Sequence, residues 1–175
     1  MREKIISAAL EVFDESGFHK AGIRGIAKLA NCSLPTLYYY FKNKEDLFET
    51  SVCGAYERIT SQIDEQLPEG MPLIDRYYFA VMQRQMLTPD EKRVFRIAMK
   101  IQLGVDGFES ANKRLSLWEE NRRRSELTAV GKITGDPVFA ELVLRVVDNM
   151  LMRGILFGDT LPPEQIKREL AYLLN

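Results

Sequence analysis

The chain is poor in the residues that build metal sites, disulfides and most catalytic centres. Its only histidine is His19, and its two cysteines, Cys32 and Cys53, lie far apart in sequence. That spacing suggests neither a zinc site nor a disulfide framework. No Ser-His-Asp set, metal-ligand spacing or glycine-rich phosphate loop is present, so an enzyme, a metal and a cofactor are not expected. No apolar run reaches the length needed to cross a bilayer. The opening Met-Arg-Glu-Lys-Ile-Ile starts a helix at once without the layout of a signal peptide, so a cytoplasmic protein is expected. Strand-type alternation, internal repeats and long low-complexity tracts are also missing. A last absence is local. Between Ser16 and Lys44 there is no acidic residue, while Lys20, Arg24, Lys28, Lys42 and Lys44 are basic. With a net charge of −1 overall, the rest of the chain carries about −6. Segregation of this kind suggests one end that faces nucleic acid and another that faces something else.

The chain is organised around Gly22 to Lys44. Ile23, Ile26, Ala27 and Ala30 fall at i, i+3, i+4, i+7, one apolar helical face. Asn31 tolerates the left-handed backbone that ends a helix sharply. Ser33 stands where an N-cap belongs, and Pro35 falls in the first turn, where its missing N–H does no harm. The second helix turns Leu37 and Phe41 toward the first. Two short helices joined by a tight turn form a helix-turn-helix unit. Leu34, Thr36, Tyr38, Tyr39 and Tyr40 cannot all be buried by so short an element. A cationic surface with outward hydroxyls suits phosphate, which supplies much of the affinity for DNA. The plainer alternative is a helical hairpin with solvated lysines.

Ile26, Ala27, Ala30, Ser33, Thr36, Leu37, Tyr38, Tyr40, Phe41, Lys44, Glu45 and Leu47 together resemble the signature of the TetR family of bacterial transcriptional regulators. Ile5, Ala9, Phe13, Gly17 and Phe18 fall where that family's first helix places them. The resemblance covers Arg2 to Val52. Two positions depart from it. Gly22 stands where the family usually has a capping Thr or Ser that touches phosphate, and Asn31 stands where it usually has Gly. The resemblance implies DNA contacts from Arg24, Ser33, Leu34, Pro35, Thr36, Tyr38, Tyr39, Tyr40, Lys42 and Lys44. Arg24 is the candidate reader of guanine, Leu34 and Pro35 meet base edges or thymine methyls, and Ser33, Lys42 and Lys44 anchor the backbone. Among the tyrosines, Tyr40 is the candidate for phosphate.

The remaining chain reads as further helices. Arg2 to Ser16, stopped by Gly17, backs the helix-turn-helix. A rod opened by Asn43 and Asp46 continues to Pro68, about 23 residues or roughly 35 Å. Helices then start at Pro72, at Thr88-Pro89-Asp90-Glu91 with a capping box, near Phe108, at Asp136-Pro137 and at Pro162-Pro163. Arg122, Arg123 and Arg124 are adjacent and could bind an anionic ligand or DNA; with Glu119, Glu120 and Glu126 in helical reach, a solvated or salt-bridged surface is the expected reading. The fold class is all-α, about nine helices. A helix-turn-helix domain is expected over 1–58 and a ligand-binding and dimerisation domain over 59–175.

The last two helices carry more apolar surface than one short chain covers. They predict a homodimer through a four-helix interface built from Leu142, Val146, Met150, Gly154, Phe157, Ile166, Leu170 and Leu173. A dimer places two reading helices about 34–36 Å apart, the spacing of a palindrome's halves. The resemblance also implies a pocket for a small-molecule effector, with Tyr56, Tyr78, Met82, Met86, Met99, Phe108, Trp118 and Asn149 as candidates. The expected protein is a homodimeric repressor that a ligand releases from double-stranded DNA. The rival is a helical adaptor of the same fold that has lost DNA binding.

Overall fold

The computed structural model describes residues 1–68 and 70–174. Local signals set most helix ends. α1 (Arg2–Lys20) is broken at Gly17, whose φ of 76° and ψ of 166° suit glycine, so the expected stop becomes a kink followed by one more turn. α2 (Ile23–Leu29) and α3 (Leu34–Tyr40) follow. α4 (Lys44–Phe48), a π-helical turn (Glu49–Cys53) and α5 (Gly54–Glu65) run on without a break as the rod. Then come α6 (Leu73–Gln85), α7 (Pro89–Gln102), α8 (Glu109–Thr134), α9 (Pro137–Leu156) and α10 (Pro163–Leu174). Counting the rod once, the described residues form nine helices and no strand. The capping box at Thr88 and Glu91 is complete. Asp136 accepts from Val138 and Phe139 N–H to open α9. At the rod's start the box is shifted: Asn43 accepts from Asp46 N–H at 2.7 Å, but Asp46 reaches Lys42 N–H at 2.8 Å, one residue before the cap.

The chain forms two compact units. The first contains Met1–Ile59 and Thr88–Trp118; the second contains Thr60–Leu87 and the chain from Glu119 onward. α7 joins the first unit because its cationic side lies on the acidic side of α1. Arg96 and Lys100 bind the Asp14 carboxylate, Lys100 Nζ also meets Asp14 O at 2.6 Å, and Arg93 reaches Glu11 at 3.5 Å. Burial alone would raise the Asp14 pKa. The hydrogen bonds from Arg96 and Lys100 and their charges outweigh burial and hold the carboxyl below its ordinary value. Asp14→Asn should therefore cost about 1.5–3 kcal/mol, the range for a lost hydrogen bond to a charged group. A group with a depressed folded pKa contributes its full stability above the unfolded value, about 3.9, and loses it as pH falls through the folded value. Urea midpoints of the wild type and Asp14→Asn should differ by a constant amount from neutral pH to about 5 and converge below about 4. A gap that narrows already near pH 6 would remove Asp14 as its source.

An aromatic cluster fills the first unit. Phe48 is fully buried, with ring centroids 4.8 Å from Phe13, 5.1 Å from Phe18 and 5.7 Å from Phe108. The loop after α7 closes over the α1 kink. Asp106 Oδ1 accepts Phe18 N–H at 2.8 Å, and the rings of Phe18 and Phe108 lie 4.5 Å apart.

In the second unit, α6 packs on α9 and α10. The core gathers Tyr77, Val81, Val143, Leu144, Val147, Met150, Leu151, Ile166 and Leu170. The eight residues of the expected interface set are placed unequally. Met150, Gly154, Ile166 and Leu170 are buried in the chain itself, and Val146 and Leu173 pack against its core. Of the eight, Leu142 (50% exposed) and Phe157 (71%) face outward, together with Val138 and Tyr172. Hydrophobic periodicity marks an apolar side of a helix but does not say which chain covers it. Two of the three adjacent arginines are salt-bridged: Arg122 holds Glu119 and Glu126, and Arg123 holds Glu141 and Asp148 on α9, while Arg124 is exposed.

Candidate nucleic-acid interface

The helix-turn-helix is assembled from its apolar back. Ile26 and Leu37 are fully buried and Phe41 is 2% exposed, so α2 and α3 are pinned by their inner faces. Between them Asn31 takes φ of 51°, the left-handed backbone expected of it, and Cys32 N–H closes the turn on Ala27 O at 2.9 Å. Ser33 caps α3: its Oγ accepts Thr36 N–H at 3.2 Å and shares a 2.8 Å hydrogen bond with the Thr36 hydroxyl. Gly22 caps α2 by backbone shape alone, with no side-chain hydrogen bond.

Fixing the back determines what faces out. Tyr39 is 82% exposed, Tyr38 52% and Tyr40 37%, and the rings of Tyr39 and Tyr40 meet edge to face at 5.1 Å. Pro35 is exposed, and Leu34 and Thr36 are half-buried. Arg24 and Lys42 are exposed, and their side chains have no partner among the described residues; the same holds for Lys20 and Lys28. Lys44 is placed differently. Its ammonium donates to Phe18 O at 2.8 Å and Ala21 O at 3.2 Å and lies 4.4 Å from the Phe18 ring centroid. Two of its three N–H groups thus cap the carbonyls at the end of α1, leaving one for an outside acceptor. The ten residues expected at DNA therefore lie on α2, on α3 and at the rod's start.

The cysteines and effector candidates are dispersed. Burial pushes the Cys53 thiol up to about 12, which keeps it protonated and unreactive. Among the described residues no cluster of His, Cys, Asp and Glu is placed to hold a metal ion, and no helix is long and apolar enough to cross a membrane. Phe108 belongs to the aromatic cluster, and Tyr56 is buried with its ring 5.0 Å from Phe95. Tyr78 lies under the Lys167 ammonium at 4.8 Å, while Met82, Met99 and Trp118 are half-buried. Met86 is 75% exposed, and Asn149 is exposed on α9. The second unit also holds a cleft of about 310 Å³ that includes none of these eight. Its lining residues Arg76, Tyr77, Glu126 and Val130 come from two helices far apart in sequence. The apolar spacing of α6 accounts for the burial of Tyr77 but does not show what lies opposite it.

A helix-turn-helix with an aromatic, hydroxyl-bearing outer face, ringed by unpaired cations and carried on an all-helical body, defines a class of DNA-recognition architecture. Residues 5–50 match the profile described as "Bacterial regulatory proteins, tetR family". The chain is 36% identical over 74 residues to the HTH-type transcriptional regulator UidR of Escherichia coli (strain K12), a match covering 42% of this chain and 37% of that protein. It is 36% identical over 85 residues to the fatty acid metabolism regulator protein of Bacillus subtilis (strain 168), covering 45% and 44%. These matches span less than half the length of either relative. Likeness of fold runs along the chain: a transcriptional regulator from Aquifex aeolicus VF5 superposes with a TM-score of 0.72 at 20% identity, covering 98% of this chain and 95% of that one.

Proposed function

We propose that the chain is a homodimeric transcriptional regulator, a repressor that binds a palindromic operator and is released from it by a small-molecule effector. The observation that carries this reading is the outer face of α3: three tyrosines stand outward from a sealed apolar back, beside Arg24 and Lys42, which have no partner among the described residues. Hydroxyls and cations together suit phosphate and base edges, and a rigid back fixes their register. Dimerisation is supported by the outward Val138, Leu142, Phe157 and Tyr172, apolar groups that one chain leaves exposed. Twofold pairing through α9 and α10 would give two reading helices for two half-sites. Release follows population shift: the effector must bind the arrangement that does not fit DNA better than the one that does. Of the effector candidates proposed from sequence, Tyr56 is buried and Tyr78, Met82, Met99 and Trp118 are half-buried.

Mobility shift at stated salt with the DNA upstream of the protein's own gene, and selection from random duplexes, test the reading. Enriched sites should be palindromic. Sedimentation should show a dimer, and Leu142→Glu should shift it to monomers while weakening operator binding at least ~10-fold, because a buried unpaired carboxylate costs several kcal/mol. A dimer that ignores duplex DNA even at low salt would favour the adaptor, a reading that Gly22, with no hydroxyl for phosphate, keeps in contention.

A further inference from the structure

The cleft in the second unit is bounded by Leu67, Met71 and Leu73 on one side and Val130 and Ile133 of α8 on the other, an apolar wall. Its polar lining is sparse: Arg76, Tyr77 and Glu126. Glu126 is already held by Arg122 at 3.2 Å, and Arg122 also holds Glu119. A narrower recess shares Leu67, Arg76, Tyr77 and Glu126 and adds Arg84, Arg122 and Asp148. Asp148 is held by Arg123 at 2.8 Å, and Arg84 donates to Ala80 O. Arg76 is therefore the lining charge with no partner among the described residues, and it is half-buried. Tyr77 beside it is only 3% exposed, and its hydroxyl likewise has no partner among the described residues. Neighbours on a helix point about 100° apart, yet both line this one space. A guanidinium fork and a phenolic hydroxyl at the edge of an apolar cavity are the groups that capture a carboxylate.

We infer that this cleft binds a small apolar monocarboxylate, its carboxylate on Arg76 and the Tyr77 hydroxyl and its hydrocarbon body against Leu73, Val130 and Ile133. The inference rests on the reading of the second unit as the part that senses an effector, and it names the effector's chemistry. A neutral ligand would leave Arg76 unpaired, and a cation would be repelled by it. A volume of about 310 Å³ sits at the low end for ligand pockets, which limits the body to about the size of octanoate.

Calorimetric titration of the full chain with octanoate, octanol and octylamine tests it. Octanoate is expected to bind at least ~10-fold tighter than either of the others. Arg76→Gln should weaken octanoate ~10-fold or more, and Tyr77→Phe, which keeps the buried ring, several-fold to ~10-fold. Ala129→Trp, at an exposed lining position, should block the cleft with thermal stability retained. No binding of octanoate, equal affinity in Arg76→Gln, or a preference for octanol or octylamine overturns the inference. Operator affinity of the same samples without octanoate is measured alongside. If DNA binding fails while octanoate binds, the regulator reading falls; if DNA binding holds while octanoate fails, the carboxylate site falls.

Discussion

Phe48→Ala is expected to remove about 3–5 kcal/mol from the stability of the first unit, the cost of truncating a buried phenylalanine. Phe48 has no exposed surface, and its ring contacts Phe13, Phe18 and Phe108, drawn from α1, the α1 kink and the loop before α8. Loss of the ring opens a cavity that these three cannot all close, because Phe18 is also held through its N–H by Asp106 and through its carbonyl by Lys44. Urea unfolding followed by the fluorescence of Trp118, which lies in the same unit, should show the midpoint falling with little change in slope. Phe48→Leu should recover most of the loss, because it keeps much of the volume. If Phe48→Ala cost less than about 1 kcal/mol, the cluster would not be the unit's main support. Tyr39→Ala is the control: at 82% exposure it should leave the midpoint nearly unchanged while weakening DNA binding.

The features legible in the sequence are those whose cause is local. Asn31, Ser33, Thr88, Asp136 and Gly17 each act within four residues of where they stand, and each marks a real end or kink. The helix-turn-helix could be read with its outward tyrosines because an excess of large side chains on a seven-residue helix forces some of them out. What sequence could not give depends on partners far along the chain. Asp14 meets Arg96 and Lys100 across 82 and 86 residues, and those bonds place α7 with the first unit and not the second. Phe108 suited an effector pocket by type, yet the loop after α7 carries it into the aromatic cluster. Ile166 and Leu170 have the spacing of an interface, yet α6 of the same chain covers them. The π-helical turn at Glu49–Cys53 carries no glycine or proline to announce it, and its one extra residue per turn leaves the apolar stripe readable on both sides.

Lys42 and Lys44 read alike in sequence, as two cations anchoring a DNA backbone, and the structure separates them. Lys42→Ala removes an exposed charge without a partner among the described residues. It should leave thermal unfolding unchanged, weaken all duplex sequences to the same degree, and lower the slope of log affinity against log salt by about one. Lys44→Ala removes the group that caps Phe18 O and Ala21 O and covers the Phe18 ring. It should cost about 1.5–3 kcal/mol of stability, because two buried-side carbonyls lose a charged donor, and weaken DNA binding as well. Arg24→Ala should behave as neither: stability is kept, and about 1–3 kcal/mol of discrimination is lost at one base pair in each half-site, so that other bases are accepted there. Thermal melts, binding at several salt concentrations and a single-substitution operator panel on the three variants separate these outcomes. If Lys44→Ala melted with the wild type and changed only the salt slope, its role would be the phosphate anchor first read from sequence. If Arg24→Ala lowered the affinity of every duplex equally, Arg24 would join Lys42 on the backbone, and reading of the bases would fall to Pro35 and the exposed tyrosines of α3.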